Sequence, residues 1–446
     1  MSTSSLSKAQ QSQEPKRHLG FIDIVFLSMG SQAPFLSILT YGVEAFIIAG
    51  FLAPIAIILG TLLVLLNGFV VYELSKRFTK AGGYYTYAFY SLTKRLGFET
   101  GWLYVLYSTT YGVAYIFGTT YIIYHVLGVN PWIVGLGLLS VASLFAIMGI
   151  KISTKYAILT SLLEISIMTI LAIVFLSSTG YHLYNPLSFH VSLGTLAYAI
   201  LFGSSIPTGY GAITPVSGEA KDAKKTISRA IITVILLGGL LAAFDIYAIG
   251  DHLLFYKISA SRADILHLIE NRFGLITFIF VLFAAINDGI LGSLGFIIAT
   301  SRTIFAMSYT NLLPKVFSKF ESYKGPTNAV ILSVILYFMT SLFGLYFINN
   351  PFVAFGVLGT IALFSSLFVH VAANFSLIKI SIKKFRKRLF QIIIGIAAVI
   401  FSVFELVNSI SSASPIEVYI FMSFIIIGFL TAETLSMIEE ENEQEE

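Results

Sequence analysis

The chain has no cysteine in its 446 residues, two tryptophans, eleven prolines and only 11% charged residues. The missing cysteine excludes disulfides, thiolate metal sites and a cysteine nucleophile. The scarcity of charge excludes an ordinary soluble domain, which carries about 25%. No Walker A sequence and no HExxH or GxSxG pattern occurs, so neither an ATP-driven pump nor an intramembrane hydrolase is expected. The N-terminal stretch MSTSSLSKAQQSQEPKRHLG has no early apolar core with a small-residue cleavage site; residues 1–18 read as a disordered tail. EEENEQEE, within 438–446, reads as an acidic solvated tail. What remains is 57% hydrophobic, with mean hydropathy +0.86. This is the composition of an all-α polytopic membrane protein.

A crossing needs about 20 mostly apolar residues. Twelve such stretches are expected, near 20–42, 50–75, 98–126, 131–149, 156–178, 191–215, 228–250, 274–300, 327–348, 351–378, 389–411 and 415–436. With both termini placed in the cytoplasm, 24 of the 27 Lys and Arg fall in inner segments, and only Lys257, Arg262 and Arg272 fall outside. Cytoplasmic loops collect Lys and Arg, so the alternation supports an even number of spans in the plasma membrane.

Two spans are interrupted in the same way. Gly30-Ser31-Gln32-Ala33-Pro34 in span 1 shares G-S-x-x-P with Gly203-Ser204-Ser205-Ile206-Pro207 in span 6, 173 residues later. Gly and Pro alone merely kink membrane helices; matching breaks in two halves point to a transporter's binding site. An unwound segment frees N–H and C=O groups that lipid cannot satisfy. Half-helix N-termini attract anions, and C-termini attract cations. Five spans from one break to the next give the two halves opposite topology.

Three further stretches carry a resemblance. VYELSKRFTKAGGYYTYAF (71–89), GYGAITPVSGEAKDAKKTISRAI (209–231) and SRTIFAMSYTNLLPKVFSKFESYKGPTNAV (301–330) resemble, in order, the motifs of the amino acid–polyamine–organocation transporters. The resemblance covers roughly residues 18–380. It implies a LeuT-type fold: a five-plus-five inverted repeat over 19–180 and 190–380, with two extra helices in 388–437. It also implies secondary transport of amino acids or related amines by alternating access, with no cofactor and no nucleic acid. The chain departs from the motif at three places. Pro34-Phe35-Leu36 stands where relatives keep a second Gly-Ser-Gly, removing one N–H that binds a substrate carboxylate. Gly209-Tyr210-Gly211 lacks the acid of the usual Gly-Phe-Glu. Glu164 stands where many proton-coupled relatives have lysine.

Ionisable residues inside spans are functional candidates. Glu164 in span 5 and Asp288 in span 8 are expected to carry a coupling ion, H+ or Na+, with Ser293 as a further cation ligand; the rival reading is helix–helix packing. A desolvated carboxyl can take up and release a proton. The substrate site is expected at Gly30, Ser31, Gln32, Ala33, Pro34, Phe35, Phe202, Gly203, Ser204, Ser205, Ile206, Pro207 and Tyr210, with Tyr107 and Tyr111 on one face of span 3 as a cavity wall. Tyr104 shares that face. No metal site is expected. Glu44 and Asp245 are expected near the outer surface, Glu405 in packing or dimerisation, and His370 in a packing hydrogen bond. The loop after span 2 is expected along the inner membrane surface. Tyr, Phe and Ile around the breaks favour a neutral amino acid; a polyamine, a cationic amino acid or an exchange mode is the alternative, and a channel or transporter-like sensor is the rival class.

Overall fold

The computed structural model describes residues 15–258, 265–321, 324–348 and 350–445. The tail over 1–14 and Arg262, placed above from sequence, lie outside them. Fifteen α-helices make up the described chain: α1 Phe21–Gln32, α2 Pro34–Ser37, α3 Val43–Ala49, α4 Ala53–Ser75, α5 Tyr84–Ser91, α6 Lys94–Leu127, α7 Pro131–Met148, α8 Ile150–Ser178, α9 Leu193–Ser204, α10 Ala223–Phe255, α11 Ile265–Tyr309, α12 Thr327–Phe347, α13 Pro351–Ile382, α14 Phe385–Ser412 and α15 Pro415–Glu445. Among the described residues there is no strand, only isolated bridges.

Local sequence explains the boundaries. Asn130-Pro131 and Asn350-Pro351 each place a capping side chain before a proline at the first helical position; Asn130 Oδ1 accepts from Trp132 N–H at 2.9 Å, and Asn350 Oδ1 from Phe352 N–H at 2.9 Å. α6 starts behind Thr93 and ends at left-handed Gly128. α15 continues through the acidic stretch expected as a tail, as far as Glu445.

Among the described residues, ten helical stretches are long and apolar enough to cross a membrane. The count differs from twelve for two reasons. Phe21–Ser75 runs as one 55-residue stretch, and α6 is not among the ten. The tyrosines and threonines of α6 lower its hydropathy because it is an interior helix: almost every residue from Gly97 to Ile123 is buried. It packs along α13 and α11, while α10 lies along α4, and α1 touches α8, α10 and α11. The outer helices turn apolar side chains outward, as at Leu159, Leu144, Ile400 and Leu430. So large an exposed apolar surface suits lipid rather than water.

On one face of the bundle the chain before α1 is stitched to the end of the second break. The N–H groups of His18 and Leu19 donate to Glu219 O at 2.8 and 3.0 Å, and Lys221 N–H donates to Leu19 O at 2.8 Å. Arg302, itself buried, donates from Nε to Glu219 Oε1 at 2.8 Å.

Candidate substrate site and carboxyl pair

The first break occurs at Ala33, whose φ of 47° and ψ of 68° end α1. Pro34 then opens α2, where a missing N–H matters least. The next two amides are orphan donors by helix geometry. Both are taken. Phe35 N–H donates to Glu164 Oε1 at 3.3 Å, and Leu36 N–H donates to Asp288 Oδ2 at 2.7 Å. The two carboxyls also contact each other. Asn287 Nδ2 donates to Glu164 Oε2 at 2.8 Å, and Tyr156 Oη–H donates to Asn287 Oδ1 at 3.1 Å. Asp288 Oδ1 accepts no N–H or O–H from the described protein. Both carboxyls are fully buried. Thus α8 and α11 each supply an acid to the positive end of a half-helix.

The carbonyl side of this break is satisfied by hydroxyls. Ser37 Oγ donates to Gln32 O at 2.8 Å, and Tyr115 Oη sits 2.9 Å from the same oxygen and 2.8 Å from Tyr111 Oη. Tyr111 in turn bonds Thr208 Oγ1. A hydroxyl chain therefore joins the first break to the second.

The second break is longer. α9 stops at Ser204, and the chain proceeds through 3-10 turns at Gly209–Ala212 and Thr214–Glu219. The two breaks touch: a Cβ on Gly209 would lie 2.8 Å from Gln32 N and overlap Ser28 O. Tyr104 Oη–H donates to Gly211 O at 2.8 Å. Tyr210 Oη and Tyr84 Oη lie 2.9 and 3.2 Å from His370 Nε2. His370 Nδ1 faces Ser366 O at 2.7 Å. That carbonyl can only accept, so Nδ1 carries the hydrogen and Nε2 accepts from the tyrosines. Tyr84, Tyr104, Tyr210 and His370 form a closed floor.

Above this floor lies a cavity of about 1490 Å³. It opens on the face carrying the α12–α13 and α14–α15 loops, opposite the N-terminal stitch. Tyr107, Tyr111, Phe202, Ser204, Ser205 and Tyr210 line it, as do Thr208 and His370. Glu44, Glu405 and Glu417 bring three acids; among its described lining residues there is no Lys or Arg. Ser204 Oγ donates to Glu405 Oε1 at 3.2 Å.

The other predicted residues pack rather than line this cavity. Gly30 abuts Leu291, Ser31 fits against Gly295, and the Gln32 amide presses on Gly238 of α10. The Gln32 amide is buried, and neither end has a hydrogen-bond partner in the described protein. Ala33, Pro34 and Phe35 are enclosed at the α1–α2 joint, and Gly203 backs onto Ile57 of α4, with Ile206 buried beside it. Pro207 is also absent from the cavity wall. Ser293 is not at the carboxyl pair's oxygens; its Oγ donates to Gly112 O at 2.6 Å, tying α11 to α6.

Asp245 is buried, and neither carboxyl oxygen has a hydrogen-bond partner in the described protein. Two placements differ from the sequence reading. Glu405, expected in packing or dimerisation, lines the cavity. The loop after span 2, expected along the membrane surface, buries Tyr84, Tyr85 and Tyr87 inside the bundle. Thr208, Tyr115 and Tyr156 escaped the sequence reading, because hydroxyls are too common in spans to stand out.

The chain matches the amino acid permease family model over residues 23–438. It is 24% identical over 339 residues to the low-affinity putrescine importer PlaP of Escherichia coli K12, covering 71% of this chain and 72% of the relative. The protein of the same name from Escherichia coli O157:H7 matches equally.

Proposed function

Because the chain belongs to the amino acid permease family, we propose that it is a secondary transporter moving a small amino compound across the plasma membrane by alternating access. One observation carries this reading: a wide cavity reaches the second break from one face, and a hydrogen-bonded aromatic floor closes the other. A site at a broken helix, accessible from one side at a time, is the arrangement alternating access requires. On this reading Phe21–Ser75 crosses twice and α6 once more, making twelve crossings. Residues 19–180 and 190–380 form an inverted repeat, with α14 and α15 outside it. The distribution of Lys and Arg supports cytoplasmic termini, and the cavity then faces outward.

The Glu164–Asp288 pair is the coupling group of this proposal, and a proton is its ion. Like charges in contact disfavour double ionisation, so one proton serves both acids. Its loss or gain changes what the Phe35 and Leu36 amides face, and hence the joint between α1 and α2. Sodium is served less well, since Ser293 is committed to Gly112 O. Exchange of one substrate for another is the second mode.

For the substrate, the geometry favours an amine without a carboxylate. The first break has no amide left to bind an anion: Pro34 lacks an N–H, and the next two donors hold Glu164 and Asp288. The cavity offers three acids and many aromatic faces, which suit an organic cation. The putrescine importer among the relatives supports the same class. A neutral amino acid is the second reading, favoured by Tyr107, Tyr111, Phe202 and Tyr210 around the site. Purified protein in proteoliposomes, given labelled putrescine or leucine with an inward proton gradient, tests both. Putrescine accumulation is expected; leucine accumulation alone refutes the amine reading, and flux of neither refutes transport of both probe classes. Preloading with unlabelled probe separates exchange from symport.

A further inference from the structure

Asp245 is a buried acid that the mechanism so far does not use. Asp245, on α10, is 7% exposed, and neither carboxyl oxygen has a hydrogen-bond partner in the described protein. An unpaired buried polar group is destabilising, and a leucine here would avoid that cost. Asp245 faces a second, small cavity of about 30 Å³, room for about two waters at 10–15 Å³ each.

The walls of this cavity fix its neighbours. Phe35 and Leu39 come from the chain around the first break, Met168 and Phe175 from α8, Ile249 from α10 itself and Ile269 from α11. All these are apolar; among the described lining residues Asp245 is the one titratable group. The nearest titratable group along α8 is Glu164, one helical turn from Met168. Two of the wall residues are shared. Phe35 also donates its N–H to Glu164 Oε1 at 3.3 Å. Leu39 also lines the large cavity. The Asp245 compartment thus shares one wall, Leu39, with the open cavity and another, Phe35, with the carboxyl pair, and none of the aromatic floor residues lines it.

We propose that Asp245 is a proton relay, taking a proton from water on the open side and passing it to the Glu164–Asp288 pair. This rests on the transport reading above. A hard cation such as Ca2+ or Mg2+ gathers about six or more oxygen ligands, and this compartment offers one carboxyl among apolar walls, so a proton is the species it suits. The step makes and breaks only O–H bonds. Hydronium on the open side gives a proton to an Asp245 carboxylate oxygen and is left as water; the Asp245 O–H then gives that proton up, past Phe35, to a carboxylate oxygen of the pair, and Asp245 is left as the carboxylate, ready for the next.

The test uses the full chain in proteoliposomes, with putrescine and leucine as probes. Asp245→Asn keeps the shape and removes the proton site. It should lower gradient-driven accumulation about tenfold or more, while leaving counterflow at equal pH within about twofold. Asp245→Glu should restore part of the accumulation. Accumulation by Asp245→Asn at the wild-type level overturns the relay, and so does equal loss of accumulation and counterflow in a folded variant. If Asp245→Asn fails to fold, the wild type still decides. Dicyclohexylcarbodiimide attacks protonated carboxyls in apolar surroundings, and mass spectrometry should find its adduct on Asp245, diminishing as the pH rises. An unmodified Asp245 throughout that range overturns the proposal. Wild-type protein that moves neither probe sinks the transport reading instead, a result distinct from either.

Discussion

The two breaks share G-S-x-x-P and are built differently. At the first, one left-handed residue separates two α-helical segments, and the exposed helix end is filled by the protein's own acids. At the second, no α-helix follows the proline. Gly209, Gly211 and Pro215 lead the chain through 3-10 turns, and Tyr210 in the first of them joins Ser204, Ser205 and Thr208 in lining the large cavity. The first break is therefore closed upon itself and the second faces the solvent-accessible space. A shared motif tells where backbone groups are released; the acids and hydroxyls on other helices decide what satisfies them.

The strongest way to break this contrast is to empty the first break. Asp288→Leu leaves the Leu36 N–H without its acceptor, and we expect a loss of about 3 kcal/mol, seen as a lower unfolding midpoint in detergent. Gradient-driven accumulation should vanish with it; an unchanged midpoint would mean the amide finds another partner. A smaller effect is expected from prising the breaks apart. Gly209→Val drives a side chain into Ser28 and Gln32 and should cost about 2 kcal/mol as overpacking, with slowed flux. Flux at the wild-type rate would show that the contact is dispensable for movement. The smallest change sharpens the comparison. Pro34→Ala restores one N–H to the first break at a cost within about 1 kcal/mol. If that break takes no part in binding a carboxylate, the apparent affinity for leucine stays as in the wild type; a gain would reassign the first break to the substrate.

Much of this arrangement was legible in the chain itself. Both breaks were visible as Gly-Ser-Pro clusters in apolar runs. Glu164 and Asp288 stood out as acids where lipid-facing residues belong, and the structure brings them to one helix end. Tyr107 and Tyr111, at helical spacing, do face the cavity. What was hidden is rotation and depth. A membrane helix is apolar on its lipid face and on its packed face, so periodicity does not say which way Ser31 or Gln32 points. The same ambiguity keeps Glu405 out of the expected cavity lining. Ser293 had the right chemistry for an ion, but its nearest acceptor, Gly112 O, lies on a helix 181 residues away in sequence.

The stitch between Leu19 and Glu219–Lys221 has a mechanical consequence. It yokes the start of the first broken element to the end of the second, so the two are levers on one axle rather than independent flaps. A spectroscopic ruler set between positions 20 and 219 should keep its length through the cycle, while one between two residues that line the large cavity, at positions 44 and 417, should shorten and lengthen. Since the chain has no native cysteine, such paired labels can be installed without first removing any.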